Sequence, residues 1–357
     1  MQLELWVHDA ITGNERARVK PLEDGASWST NIPGTGTCSF VFLVGEDETI
    51  TSGARAETLF QPNARLLVLR WGTTVLGAWK IEDWDYNDDA GTITVTGVEL
   101  VRNETKWRMT YGLSDYAGGT LSVTALSYSG AVRAIINRFI SRSPEWNYPI
   151  DLPADGPGGF SQTWEYWKKY TIEDLLVQME SEGFEVYFRA YLTAGHQLRY
   201  QTHVELRVIL GSSAFHLQAE DSPLSGVHYR VNGAEQITGG QGVGEGTGQV
   251  QEVRYQGGPP FTIPIRDAKK QFPDLAGDRL QAATDAWFAE DRYPTVQWTV
   301  GSFTVSDEYP PDHALTGRGW ILQSKGHPVF PDGAHSLRVI ANSGTFGREI
   351  KTEVQSA

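Results

Sequence analysis

The chain has one cysteine, Cys38, in 357 residues, which excludes an intrachain disulfide and a thiolate metal cluster. Its setting, Thr37-Cys38-Ser39-Phe40-Val41, reads as an inward position on a strand. No basic or helix-N-terminal neighbour is at hand to stabilise a thiolate, so a small buried hydrophobe is expected in preference to a reactive thiol. Folding in a reducing cytoplasm fits. No run of about 18 consecutive apolar residues occurs, so no transmembrane helix is expected. The opening Met1-Gln2-Leu3-Glu4-Leu5-Trp6 alternates polar and apolar residues and reads as a strand, not as a secretory signal. Bases are outnumbered, with 30 Lys and Arg against 44 Asp and Glu and a formal charge of -14. Sequence-independent contact with phosphates needs clustered Lys and Arg, so DNA is not expected as a bound partner. An acidic surface does suit a conduit through which DNA slides without sticking.

Signatures of catalysis are also missing. The eight histidines, His8, His196, His203, His216, His228, His313, His327 and His335, include no His-x-x-x-His pair, so no zinc site is expected. A Gly-x-Ser-x-Gly elbow is absent, and with one Cys and scattered His no nucleophilic triad has an anchor. No catalytic, cofactor-binding or metal-binding residue and no cofactor is expected. The run from Gly239 to Gly248 has glycine on every second residue and no helix after it, which suits a flexible loop or a close backbone approach in a sheet better than a phosphate loop. Asp83, Asp85, Asn87, Asp88 and Asp89 resemble a calcium loop, yet Asp88 stands where Gly is required and Thr94 where Glu is needed. Trp84 and Tyr86 alternate with these acids, so a strand entering a polar hairpin is expected. Asp151, Asp155, Glu165 and Glu173 lie near Trp146, Trp164, Tyr166 and Trp167, a combination that sugars stack on and that paired carboxylates could cleave. Twelve tryptophans more often serve cores and subunit contacts, and the interface reading is preferred.

What is present reads as three domains. Residues 1–104 form a β domain whose clearest part is a meander: Arg65–Arg70, a turn at Trp71-Gly72, Thr74–Asp85, a turn, and Thr92–Gly97. Residues 105–204 form an α+β middle domain, in which helical periodicity first appears over Gly130–Ile140. There Thr171-Ile172-Glu173-Asp174 opens a second helix with a capping-box-like pattern, closed by Gly183. Strands at Phe184–Arg189 and Gln197–Gln201 make this unit a helix on a hairpin. Residues 205–357 return to strands, at Leu206–Leu210, Val250–Tyr255, Val296–Val305, Gly319–Gln323 and His335–Ala341, interrupted by a helix from about Asp274 to Asp291. The fold class is mainly β with an α+β middle domain.

This order of segments resembles the tail-hub (minor tail) proteins of long-tailed bacteriophages, particularly those of actinobacteria. The resemblance is carried by Leu3-Glu4-Leu5-Trp6-Val7-His8-Asp9, Gly13, Ala26–Thr30, Gly36–Phe42 and Leu76–Asp83, then by Thr171–Leu176 with Gly183–Phe188. It implies two tail-tube-like β-barrel domains flanking the helix-plus-hairpin domain, and a homotrimer that presents six barrels to a sixfold tube. It implies a structural, non-enzymatic hub joining tail tube to tip and lining part of the DNA exit channel. The implied partners are copies of itself, the distal tail and tail-tube proteins, the tape-measure protein and other tip or fibre proteins, with DNA only in transit. The implied location is the virion tail tip, after synthesis and assembly in the host bacterial cytoplasm. The chain ends soon after its last strands, so no fused peptidoglycan-cleaving domain is expected. A receptor- or carbohydrate-binding tip protein, with the Trp-rich segment 146–167 as its surface, stays open as the alternative, and a hydrolase as a third reading.

Overall fold

The structure, a computed structural model, describes residues 2–45, 49–111, 117–141, 147–181, 183–258, 263–273 and 275–356. It falls into two units, Met1–Gly226 with Val300–Gln355, and Val227–Thr299 with Ser356.

The first unit begins with β1 (Leu3–Asp9), β2 (Glu15–Val19), β3 (Ser27–Asn31), β4 (Thr37–Leu43), helix α1 (Gly53–Leu59), β5 (Arg65–Trp71), β6 (Thr74–Asn87) and β7 (Thr92–Glu99). Strands β5, β6 and β7 make the expected antiparallel meander, with Gly72 and Gly91 at positive φ in its two turns. Period-2 alternation sends Leu3, Leu5 and Val7 of β1, and Cys38, Phe40 and Phe42 of β4, into the core. Burial there pushes the Cys38 thiol pKa far up, as expected of a packing residue. Trp79 anchors this core with ring centroids 6.1 Å from Trp28 and from Phe40, and its indole Nε1 donates to the Ser29 carbonyl.

Next come α2 (Leu100–Trp107), β8 (Leu121–Leu126), α3 (Tyr128–Ile140), β9 (Ile150–Asp151), β10 (Phe160–Trp164), α4 (Ile172–Ser181), β11 (Glu185–Leu192) and β12 (Leu198–Glu205). The capping box at α4 is reciprocal: the Asp174 N–H donates to Thr171 Oγ1, and the Thr171 N–H donates to Asp174 Oδ2. Ser127 caps α3 with a single bond, its Oγ accepting the Gly130 N–H. Val132, Ile135, Ile136 and Phe139 of α3 and Ile172, Leu175, Leu176 and Met179 of α4 form stripes at helical spacing. These stripes share one core with Val186 and Phe188 of β11 and Leu198 and Tyr200 of β12, which is the expected helix-plus-hairpin unit. Each such side chain contributes about 1.5–3 kcal/mol by leaving water.

The remainder is β13 (Ser212–His216), β14 (Leu224–Ser225), β15 (His228–Asn232), β16 (Gly239–Val243), β17 (Val253–Gly257), β18 (Asp267–Gln271), α5 (Gly277–Asp291), β19 (Thr295–Thr304), β20 (Gly319–Ser324), β21 (Gly333–Gly344) and β22 (Glu349–Ser356). The second unit holds β15 to α5 and residues 295–299 of β19.

Several expectations need correction. The flanking barrels do not close: strands of both flanking segments join one sheet in the order β14-β19-β22-β21-β3-β4-β7-β6-β5-β1-β2, which has two ends. The physical reason is that β3 spends its second edge on β21, in the register Ala341↔Asn31 to Gly344↔Trp28, and so cannot fold back on β2. Residues 206–210 are not a strand. Val208 is buried and its N–H goes to the Glu185 carboxylate, while Leu210 bonds the Gly317 carbonyl, so no ladder forms. Two helices, α1 and α2, precede the first one expected. The strand foreseen over Val250–Tyr255 starts at Val253, after a short 3-10 turn at Gly248–Val250. The last helix starts at Gly277, and Asp274 lies outside the described residues.

Helix α2 is held by buried charge. Arg102, with 4% of its side chain exposed, reaches α4 through Nη1 to Glu180 at 2.7 Å and Nη2 to Glu173 at 2.6 Å. Thr105 Oγ1 donates to the other oxygen of Glu173 at 2.6 Å. Removing a buried partner strands the opposite charges, so Arg102→Ala is expected to lower unfolding stability by about 3–5 kcal/mol in urea titrations. Arg16→Ala, which breaks an ion pair with Asp9 at a side chain 47% exposed, is expected to change it by less than about 1 kcal/mol.

Candidate assembly surface

The alternating glycines of β16 turn out to be a helix seat. A Cβ at Gly240 would lie 2.9 Å from Trp287, one at Gly242 would lie 1.9 Å from Thr284 Oγ1, and one at Gly244 would lie 2.5 Å from Leu280. Those three partners sit at spacings of four and three on α5, all buried, so the glycines let the helix approach the backbone of the sheet directly. Trp287 Nε1 is satisfied by Asp291 at 2.6 Å and Thr284 Oγ1 by the Leu280 carbonyl at 2.8 Å. The glycines thus give the close backbone approach that their spacing suggested.

The other face of the same three-stranded sheet is open. Gln241 of β16 stands opposite Tyr255 of β17 and Lys269 of β18, so all three point to that side. Tyr255 is 51% and Val253 46% exposed, and Val231, Val250, Ile265, Tyr293 and Val296 of the same unit are exposed as well. Among the described residues β17 and β18 are both edge strands of this sheet, a position at which a strand from another chain can add. A protein that works by assembly needs surfaces of this kind, and sequence periodicity could not reveal them because exposure depends on which face α5 covers.

The acidic run Asp83 to Asp89 occupies the end of the β6–β7 hairpin, where Asn87 pairs with Thr92 and Asn87 Oδ1 accepts the Ala90 N–H. This is the expected strand and polar turn. Asp83, Asp85, Asp88 and Asp89 are exposed there. Among the described residues no three His, Cys, Asp or Glu side chains converge on a metal position.

The Trp-rich stretch does not gather into one site. Trp164 is buried, with Nε1 donating to Gln178 of α4, whereas Trp167 is 56% exposed and packs edge-on against Tyr166. Trp146 lies outside the described residues. Asp151 is engaged by Arg199 and Tyr191, Glu173 by Arg102 and Thr105, Glu165 by Thr120, and Asp155 by the Gly156 N–H. Among the described residues no two of these carboxylates share a hydrogen-bond partner. Of the histidines, His8 is buried with Nδ1 bonded to the Gly13 carbonyl, and burial lowers its pKa, so it is a neutral core residue. His203 is likewise held low by burial and by the nearby Arg189.

One half-buried carboxyl, Glu99, has no counterpart in the sequence reading. Glu99, the last residue of β7, accepts the Gly36 N–H at 2.6 Å and borders a small cavity of about 30 Å³ with Tyr187, Tyr200 and Thr316. That volume suits one or two water molecules, and the buried Tyr200 hydroxyl, which has no protein partner among the described residues, is a group such a water would satisfy. Desolvation pushes the Glu99 pKa from 4.5 up to about 7, although the backbone N–H groups of Gly36 and Asn31 oppose it.

Two expectations follow from these environments. Gly242→Ala is expected to lower the melting temperature by several degrees, because the added Cβ would stand 1.9 Å from Oγ1 of the buried Thr284, whereas Gly159→Ala, with nothing within 4 Å, is expected to leave it unchanged. For Glu99 the folded pKa lies above the unfolded one, so its contribution is full below about pH 4.5 and is lost as pH rises through about 7. Chemical denaturation should therefore find Glu99→Gln gaining on the wild type between pH 5 and pH 8, by on the order of 1–3 kcal/mol, and an equal difference at both pH values would refute this.

No protein-family model matches the chain, and no curated protein matches it in sequence. Solved structures do share its architecture. The 43 kDa tail protein of prophage MuSo2 from Shewanella oneidensis superposes with a TM-score of 0.59 at 9% identity, covering 99% of this chain and 98% of that one. Prophage tail protein gp18 from Listeria monocytogenes EGD-e gives 0.55 at 9% identity, covering 99% and 94%. The tail protein from Neisseria meningitidis MC58 gives 0.54 at 11% identity, covering 99% and 96%. From end to end, the chain has the fold of these tail proteins.

Proposed function

We propose that the chain is a structural tail-tip hub protein of a long-tailed bacteriophage of the kind that infects actinobacteria, assembled as a homotrimer between tail tube and tip. The observation that carries this reading is the fold shared with three tail proteins over nearly the whole of each chain. Residues 1–104 and 205–357 serve as the two tube-facing β regions and 105–204 as the domain between them. Its partners are further copies of itself, the distal tail, tail-tube and tape-measure proteins and other tip or fibre proteins. The net charge of -14 and the exposed acids of the β6–β7 hairpin suit a wall past which DNA moves without adhering. The role is one of assembly and not of turnover, which accords with carboxylates that are each committed to a structural partner.

Light scattering of the purified chain is expected to give three times the 39.5 kDa chain mass. Immunogold labelling of intact particles is expected at the junction of tail tube and tip. A monomeric or dimeric mass at assembly concentrations, or label on peripheral fibres, would overturn the reading.

A further inference from the structure

We infer that a groove in the first unit, walled by Trp107 at the end of α2, binds a neutral oligosaccharide. The groove has a volume of about 610 Å³, within the roughly 300–1,000 Å³ of small-molecule sites. Trp107 lines it with 75% of its surface exposed, more than any other aromatic side chain among the described residues. An indole left in water at the mouth of a polar groove offers a flat apolar face, and the ring of a sugar presents a matching C–H face to stack on it.

The rest of the lining decides the class of ligand. Asp9, Glu82 and Glu104 face Arg65, Lys80 and Arg108, three acids against three bases, so the groove has no net charge with which to select a phosphate or an anionic polymer. It does offer a dense set of hydrogen-bond donors and acceptors, which hydroxyl groups can use in either sense. These groups are fixed beforehand. Arg65 Nη1 and Arg16 Nη2 each hold Asp9 at 2.9 Å, Lys80 Nζ holds Glu104 at 2.7 Å, and Tyr148 Oη donates to Glu104 at 2.8 Å. Glu82, whose side chain is 43% exposed, is the acid left most open to a ligand. A site ordered in advance spends little entropy on binding.

The same pairs fix two protonation states in the lining. Burial alone would raise the Asp9 pKa, but hydrogen bonds from Thr12, Arg16 and Ile11 outweigh it and hold the carboxylate ionised. Burial, with Glu104 beside it, pushes Tyr148 up to about 12, so that hydroxyl keeps its proton.

The inference does not rest on the hub reading, and its test uses the purified full-length chain. Saturation-transfer NMR against gluco-, galacto- and manno-oligosaccharides, with hyaluronan fragments as the anionic control, is expected to show binding of at least one neutral oligosaccharide. Trp107→Ala, at a side chain that contributes little to the core, is expected to weaken that binding at least tenfold with the circular dichroism spectrum unchanged, and Glu82→Gln to weaken it several-fold. Binding of none of the neutral oligosaccharides, or binding that survives Trp107→Ala, would overturn the inference. So would a fall in particle mass on Trp107→Ala without sugar binding by the wild type, since the indole would then be a subunit contact; failure of the hub reading would instead appear in the wild-type mass and the particle label.

Discussion

A guanidinium sealed between two helices sets how the halves of the first unit meet. Helix α2 has eight residues, too few to be stable alone, and it follows β7 without a loop. Arg102 on one side binds Glu173 and Glu180 of α4, and Glu104 on the other binds the buried Lys80 of β6. The helix is thus clamped between the meander and the helix-plus-hairpin unit by charges that cannot be left unmatched. Buried ion pairs add little net stability over well-packed apolar residues, because desolvation offsets most of the attraction. What they contribute is selectivity: a slipped α2 would strand two or more charges in the core, so alternative packings are penalised more than the native one is favoured.

The second long-range constraint is the seam between β3 and β21. Beyond the four-residue register, Thr30 Oγ1 meets Thr316 Oγ1 at 2.9 Å, and Trp28 Nε1 donates to the Thr345 carbonyl at 2.9 Å. Side chains more than 280 residues apart in sequence are therefore paired inside one sheet. Such contacts carry a high loop-closure cost and tend to form late. They also explain why neither end of the chain closes as a barrel, since the edge that closure would need is already taken.

Local order was legible where the signal was local. The meander β5–β7, helix α3, and the Thr171–Asp174 box with α4 follow from period-2 or period-3.6 alternation and from side chains that cap their own backbone. Helix α2 was hidden because Arg102 and Glu104, which look like surface residues, are buried against partners dozens of positions away. The segment 206–210 misled because alternating apolar residues suit a strand, yet only Val208 is buried and its backbone bonds a carboxylate. Aromatics were the hardest to place. Trp164 sits in a Trp-rich run and is buried, whereas Trp107, flanked by Lys106 and Arg108 with nothing to single it out, faces solvent in the groove. Sequence supplies the type of ring, but the fold alone determines which face of it meets water.

The acidic excess can be read in the same way. Many acids are spent on internal pairs, Asp9 with Arg16 and Arg65, Glu15 with Arg70, Glu185 with Arg338, Asp151 with Arg199, and these add no net field at a distance. The field comes from acids without a basic partner, and among the described residues Asp83, Asp85, Asp88 and Asp89 place four exposed acids with no ion pair at one hairpin end. Screening limits their reach to about 8 Å at physiological ionic strength, so charge repels a passing polyanion only where the acids themselves approach it. Net charge alone therefore cannot make a low-friction channel. In the hub proposed above the hairpin would have to stand at the lumen for its acids to act on DNA, so the position of these four acids matters more than the total of -14.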